Sequence, residues 1–366
     1  MPRMAGSTEG TTTPPDGSPP GLADGSSASI EDVARRAGVS IATVSRSLRG
    51  LPEVAAGTRD RVLAAARELD YVASPFAARL ASGRTFTVGV VVPFVDRWFF
   101  STVLGAVEAE LGGGGLDLLL YNLSNAAGRQ RFFTVLPVRK RVDAVLVVSL
   151  DLTPPEIDAL RGLRVPVGVV GGEVPGFFNT RIDDVAGART AVEHLIGLGH
   201  RRIGLIGGDT DDPMRFTPPL YRRDGYLAAL ARAGIEVDPT LEALGYFTPE
   251  GGEAAMRTLL DLDDQPTAVF AESDEMAYGA IRAIRRRGLR VPEDIAVIGF
   301  DDHAAAEFMD LSTVRQPVAA QGAAVAKAIL ATISGSTTFL PTVMTTELVV
   351  RGSTDPGATI YGPEQA

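Results

Sequence analysis

From Thr85 onward one pattern limits what the chain can become: short, almost wholly apolar runs alternate with longer segments of helical spacing. "FTVGVVVP" reads as a strand buried on both faces, the mark of a parallel sheet. A helix is expected at about 99–111, then strand "LDLLLYN", helix 128–140, strand "DAVLVVS", helix 154–161 and strand "VPVGVVG". The order repeats through "RRIGLIGG", helix 221–233, "TAVFAES", helix 274–287 and "IAVIGFD". Such alternation specifies an α/β architecture of doubly wound sheets, and about ten units over about 280 residues predict two similar lobes. The strands end at Pro93, Ser149, Gly171, Gly207, Ser273 and Asp301, and ligands bind along that edge of open α/β sheets.

Residues 29–48, "SIEDVARRAGVSIATVSRSL", have a different texture. Ser29 is an N-cap for a helix over 30–37, with Val33, Ala34 and Ala37 at helical spacing. Gly38 supplies a tight turn, and Ser40 caps a second helix, 41–48, whose Val44 and Leu48 share a face. A third helix is expected at about 56–70, with Val62, Leu63, Ala66 and Leu69 inward. This is the layout of a helix-turn-helix, and spacing alone does not separate it from an ordinary three-helix bundle. The stretch "VASPFAARLASGRT" begins a further helix at Pro75 and ends it at Gly83; so short a helix is not stable alone.

Charge is unevenly placed. Residues 28–84 balance at +3, residues 1–27 at −2 and the remainder at −11. The acidic body argues against a large nucleic-acid surface there, and the small basic segment can carry one. The first 27 residues are rich in Gly, Pro, Ser and Thr, lack the apolar core of a signal peptide, and are expected to be a disordered arm. The absence of cysteine removes disulfides and cysteine metal clusters. No run approaches the roughly 20 apolar residues of a membrane span.

"VARRAGVSIATVSRSL", "TRDRVLAAARELDY", "HLIGLGHRRIGLIGG", "RRDGY", "SDEMAYGA", "VPEDIAVIGFDD" and "LSTVRQP" together resemble the LacI/GalR family of bacterial transcriptional repressors, over residues 29–352. The resemblance implies an all-α helix-turn-helix headpiece at 28–73 and a hinge helix at 74–84. It also implies a two-lobed core at 85–352, like a periplasmic sugar-binding protein, followed by a tail at 353–366. A cytoplasmic homodimer or dimer of dimers is implied, binding a pseudo-palindromic double-stranded DNA operator under the control of a small effector, most simply a sugar. No cofactor, metal, membrane or catalytic role is implied. The chain departs from the family pattern at "VSRSLRG", where Ser47 and Arg49 replace an apolar residue and an asparagine.

Arg46 lies opposite Val44 and Leu48, and an arginine there is suited to guanine in the major groove. Ile41 and Ala42 match the family's base-reading positions; Ser40, Thr43 and Ser45 are short donors suited to phosphates, and Arg49 follows at the helix end. Leu80 matches the family's minor-groove wedge. In the core, Arg222 matches the family's ligand-contacting arginine, Phe247 its covering aromatic, and Asp301 a strand-end acceptor. Ser149 and Ser273 end strands at the same edge, and Phe99 lies at the matching edge of the first lobe. The competing expectation is that Arg222 and Asp301 only pair with each other. Gly171 stands where relatives often carry a ligand-binding aspartate, with Glu173 near it.

His194 and His200 have no carboxylate at ligand spacing, and "GLIGGDT" and "VGGEVPG" lack the Lys-Ser/Thr of a phosphate loop. Two functions therefore compete: a ligand-responsive repressor, and a solute-binding protein of the same core fold. A headpiece without a secretion signal favours the first.

Overall fold

The computed structural model describes residues 28–48, 53–71, 83–336, 341–355 and 357. The expected arm, Arg49, Leu80, the hinge apart from Gly83 and Arg84, and most of the tail lie outside the described residues. The chain divides into two compact units, residues 1–83 and 84–366.

The first unit carries α1 (Ile30–Ala37), α2 (Ile41–Leu48) and α3 (Ala56–Glu68). Ser29 opens α1 with a reciprocal capping box: its hydroxyl accepts from the Asp32 N–H, and the Asp32 carboxylate accepts from the Ser29 N–H. Gly38 ends α1 in the left-handed region at φ +67, a conformation glycine adopts without steric cost. Val33, Val44 and Val62 meet in a common core with Ala34, Ala65 and Ala66. Leu63, expected inward, is exposed, and Ala65 takes its place, because residues 62, 65, 66 and 69 fall on one helical face and 63 does not.

The second unit holds two six-stranded sheets. The first lobe contains β1 (Thr87–Val92), α4 (Trp98–Gly113), β2 (Asp117–Asn122), α5 (Ala126–Val135), β3 (Ala144–Val148), α6 (Pro154–Arg161), β4 (Val167–Val170) and β5 (Phe178–Ile182). The second contains α7 (Asp184–Gly197), β6 (Ile203–Gly207), α8 (Pro218–Arg232), β7 (Glu242–Leu244), α9 (Pro249–Leu260), β8 (Ala268–Ala271), α10 (Asp274–Arg286), β9 (Ala296–Asp301) and β10 (Ser312–Arg315). The chain then returns through α11 (Val318–Ile333), which packs on α4 and β5, to β11 (Thr342–Met344) in the first sheet, and closes with β12 (Glu347–Val349) in the second. Strand orders are β11-β5-β4-β3-β1-β2 and β12-β10-β9-β8-β6-β7, all pairs parallel except β10 with β12. The lobes are thus joined by three crossings, at residues 183, 316–317 and 345–346.

The apolar runs of the sequence are these strands, and β1, β3, β4, β6, β8 and β9 are buried throughout. The helix expected at 128–140 is α5. It stops at Val135 because Leu136 turns left-handed at φ 49 and Pro137 follows. Gly225 of "RRDGY" is a packing residue: a Cβ there would lie 2.4 Å from the Val185 carbonyl oxygen, so glycine allows α7 and α8 to touch.

Candidate functional site

In the first unit the candidate site is the outer face of α2. The Ser40 hydroxyl accepts from the Thr43 N–H at 3.2 Å, capping the helix, and lies 2.9 Å from the Thr43 hydroxyl. Ser40, Ile41, Ala42 and Arg46 are exposed, and Thr43 and Ser45 half-buried. Val44 and Ser47 face the core; the buried Ser47 hydroxyl donates to the Thr43 carbonyl one turn earlier. Six of the eight residues singled out for DNA contact therefore share a solvent-facing surface, and Arg49 and Leu80 lie outside the described residues.

In the second unit a narrow cleft between the lobes is lined by Phe99, Ser149, Arg222, Phe247 and Asp301. All five were expected from the sequence. Asp184, Phe216, Gln316 and Gln321 join them. Arg222, 4% exposed, is the centre: its Nε donates to Asp184 Oδ1 at 2.9 Å, its Nη1 to the Glu272 carbonyl, and the same Nη1 lies 3.4 Å from Asp301 Oδ1. The Phe300 ring supports the guanidinium, 3.7 Å from Cζ to centroid. Arg222 and Asp301 are paired, as the competing expectation had it, but within a larger network. Gln316 donates to Asp301 at 2.6 Å and accepts from Gln321 at 3.0 Å.

Charge is crowded here. Burial pushes the Asp301 carboxyl up to about 6, against the pull of Arg222 and Gln316. Burial likewise raises Asp184 despite Arg222, and raises Glu272 and Asp274 well above the usual carboxylate range. Burial alone would weaken the Arg222 charge, but Asp184 and Asp301 outweigh it and hold the guanidinium protonated. Asp301 and Asp302 both have positive φ, 122 and 57, a strained turn that Arg315 and Arg351 hold by pairing with Asp302 at 2.7 and 2.8 Å.

Ser273 departs from expectation. It is buried and does not line the cleft; its hydroxyl accepts from the Met276 N–H at 3.3 Å and caps α10. A strand-end serine directly before a helix is used by the helix first. Gly171 lines the cleft at φ +74, and a Cβ there would lie 2.5 Å from Ser149 Oγ, so a larger residue would be both strained and crowded at this position. Asp184 supplies the carboxylate instead, from the first residue of α7, where the helix N-terminus favours negative charge. Glu173 is turned aside to Arg181 at 3.1 Å. The sequence reading missed Asp184 because it missed the weakly patterned β5 before it. Phe216 has no periodic signal, and its partners come from both lobes: Phe94 and Phe100 on one side, Phe247 on the other.

His194 and His200 each bond a threonine hydroxyl, Thr354 at 2.9 Å and Thr267 at 3.0 Å. Among the described residues no cluster of three or more His, Asp or Glu is arranged to hold a metal ion, and no helix is long and apolar enough to cross a membrane.

Comparison with known proteins adds two family matches: bacterial regulatory proteins of the lacI family over residues 29–74, and the periplasmic binding protein-like domain over residues 192–354. The HTH-type transcriptional repressor CytR of Escherichia coli (strain K12) is 36% identical over 333 residues, 89% of this chain and 96% of CytR. The HTH-type transcriptional regulator CelR of Thermobifida fusca is 38% identical over 338 residues, 88% of this chain and 97% of CelR. Among solved structures, a transcriptional regulator CelR–cellobiose complex is similar at TM-score 0.65 and 35% identity, covering 89% of this chain and 99% of that one. The lac repressor dimer bound to operator and the anti-inducer ONPF is similar at TM-score 0.78 and 27% identity, with the same coverage.

Proposed function

Because this chain belongs to the LacI family of bacterial regulatory proteins, we propose that it represses a sugar uptake or catabolism operon and that a sugar held between its lobes controls its grip on DNA. It is a DNA-binding transcriptional regulator. Solute capture, the other reading of the core, is set aside, because the headpiece itself matches a family of DNA-binding regulators.

On this reading the protein works in the cytoplasm as a homodimer or a pair of dimers, and its two-fold symmetry calls for a pseudo-palindromic operator. Arg46 contacts a base edge, Ile41 and Ala42 offer apolar contact to thymine methyls, and Ser40, Thr43 and Ser45 anchor phosphates. Arg49 and Leu80 keep the roles that the family resemblance implies. The relatives are regulators rather than enzymes, and no catalytic step is assigned.

The observation that carries the effector half is the convergence of Arg222, Asp184 and Asp301 beneath Phe99, Phe216 and Phe247. The guanidinium offers donors, the carboxylates accept, and the rings give apolar faces for the C–H side of a sugar. A neutral polyol fits because the cation is already matched by carboxylates. The cellobiose held by CelR is a molecule of this class. The cleft as it stands offers about 30 Å³, room for a few waters at most, so a sugar must part the lobes to enter. Its differential affinity for the two arrangements is then what shifts DNA affinity.

The test is a thermal-shift screen of mono- and oligosaccharides against the wild type, Arg222→Ala and Asp301→Ala, with gel shifts on the chain's own promoter region. A sugar that stabilises the wild type alone and changes operator affinity supports the reading. A sugar that stabilises all three equally puts the site elsewhere.

A further inference from the structure

A second hollow lies beside the cleft. It shares Gly171, Ile182 and Asp184 with the cleft and is walled by Glu173, Arg181 and Tyr221. It offers about 270 Å³ against about 30 Å³ in the cleft and is the roomier of the two spaces. Gly171 borders both spaces and Gly172 the hollow, and a Cβ at Gly171 would crowd the Ser149 hydroxyl at 2.5 Å. Tyr221 directly precedes Arg222 on α8 and is 43% exposed. Glu173 and Arg181 pair at 3.1 Å, yet their side chains remain 58% and 35% exposed, leaving donors and acceptors open to a ligand.

We propose that this hollow is a second sugar subsite, so that the effector is a disaccharide or a longer oligosaccharide, with one ring at Arg222 and the next at Tyr221. This rests on the sugar reading of the cleft. The shared lining sets the two spaces side by side, and Asp184 borders both, able to accept from a hydroxyl of either ring once the lobes part. The Tyr221 ring supplies an apolar face for the second sugar, and the Glu173–Arg181 pair supplies an acceptor and a donor for adjacent hydroxyls. A monosaccharide would leave all of this outer wall unused.

The experiment is isothermal titration calorimetry on the full chain with glucose, galactose and xylose against cellobiose, maltose, lactose and xylobiose. The expected result is one disaccharide binding at least about tenfold more tightly than its own monosaccharide, about 1.4 kcal/mol. Tyr221→Ala should remove most of that preference and leave monosaccharide affinity unchanged, while Tyr221→Phe should retain it, because the ring and not the hydroxyl makes the contact. A monosaccharide that binds as tightly as every disaccharide overturns the subsite and leaves the sugar reading standing. Equal weakening of both sugars by Tyr221→Ala also overturns it. Binding of none of these sugars removes the sugar reading and the subsite together.

Discussion

Arg129, buried on the first lobe, donates to the main-chain carbonyl of Met214, a residue that follows β6 of the second lobe yet is itself buried in the first lobe's core. The same guanidinium donates to the Asp151 carbonyl at 2.6 Å and to Glu156 at 2.8 and 2.6 Å. The Asp151 N–H donates to the Arg215 carbonyl at 3.0 Å, and the two side chains pair. Two residues further on, Phe216 lines the cleft. The loop after β6 is therefore a strap across the lobes that reaches from a buried anchor to the cleft.

Met214→Ala should lower stability by about 2–5 kcal/mol, the usual range for truncating a buried methionine. Urea denaturation followed through Trp98, the single tryptophan, reads this, since its ring lies 5.0 Å from His303 of the second lobe. An unchanged midpoint would mean that the strap does not hold in solution.

Glu275 should make stability sensitive to pH. Burial raises its carboxyl to about 7 and Asp301 adds to the rise, while Arg97 and the Trp98 N–H of the first lobe pull it down. The folded protein thus holds this proton more tightly than the unfolded chain, whose carboxyl titrates near 4.5. The stability it contributes is full below about 4.5 and is lost as pH rises to about 7. Melting temperature should fall over that window, and Glu275→Gln should flatten the fall. Identical pH profiles for the two proteins would exclude Glu275 as the source.

Gly225→Ala should destabilise by about 1–3 kcal/mol, because its Cβ would meet backbone of α7 that cannot yield. Gly105→Ala, exposed within α4 with nothing within 4 Å of its Cβ, should stabilise by about 0.5–1 kcal/mol. Melting the two variants in parallel checks packing against propensity; a Gly225→Ala protein that melts no lower than the wild type would contradict the close approach of α7 and α8.

On the headpiece, Arg46→Ala should lose about 1–3 kcal/mol at the preferred operator and little on random DNA. Ser47→Ala should leave stability within about 1 kcal/mol, since the hydroxyl bonds only a carbonyl of its own helix. Gel shifts against operator and scrambled duplex decide the first; equal weakening on both would make Arg46 a phosphate contact.

What the sequence determined by itself is what repeats locally. The apolar runs marked the strands, since a strand buried on both faces must be apolar throughout, and the Ser29 and Gly38 signals bounded α1 because caps act on their own backbone. The strand-end rule singled out Ser149 and Asp301, with Phe99 at the matching edge of the first lobe, and the family motifs singled out Arg222 and Phe247; all five line the cleft. The same rule misplaced Ser273, because a helix N-cap and a ligand donor look alike until the hydroxyl's direction is known. Asp184 and Gln316 lie at lobe crossings, and Phe216 and Met214 on the strap; none of them follows a period of 2 or 3.6. Their neighbours are distant in the sequence, and only the folding of the second lobe, which sets the start of α7, α8 and the end of β9 side by side, brings Asp184, Arg222 and Asp301 to a common point.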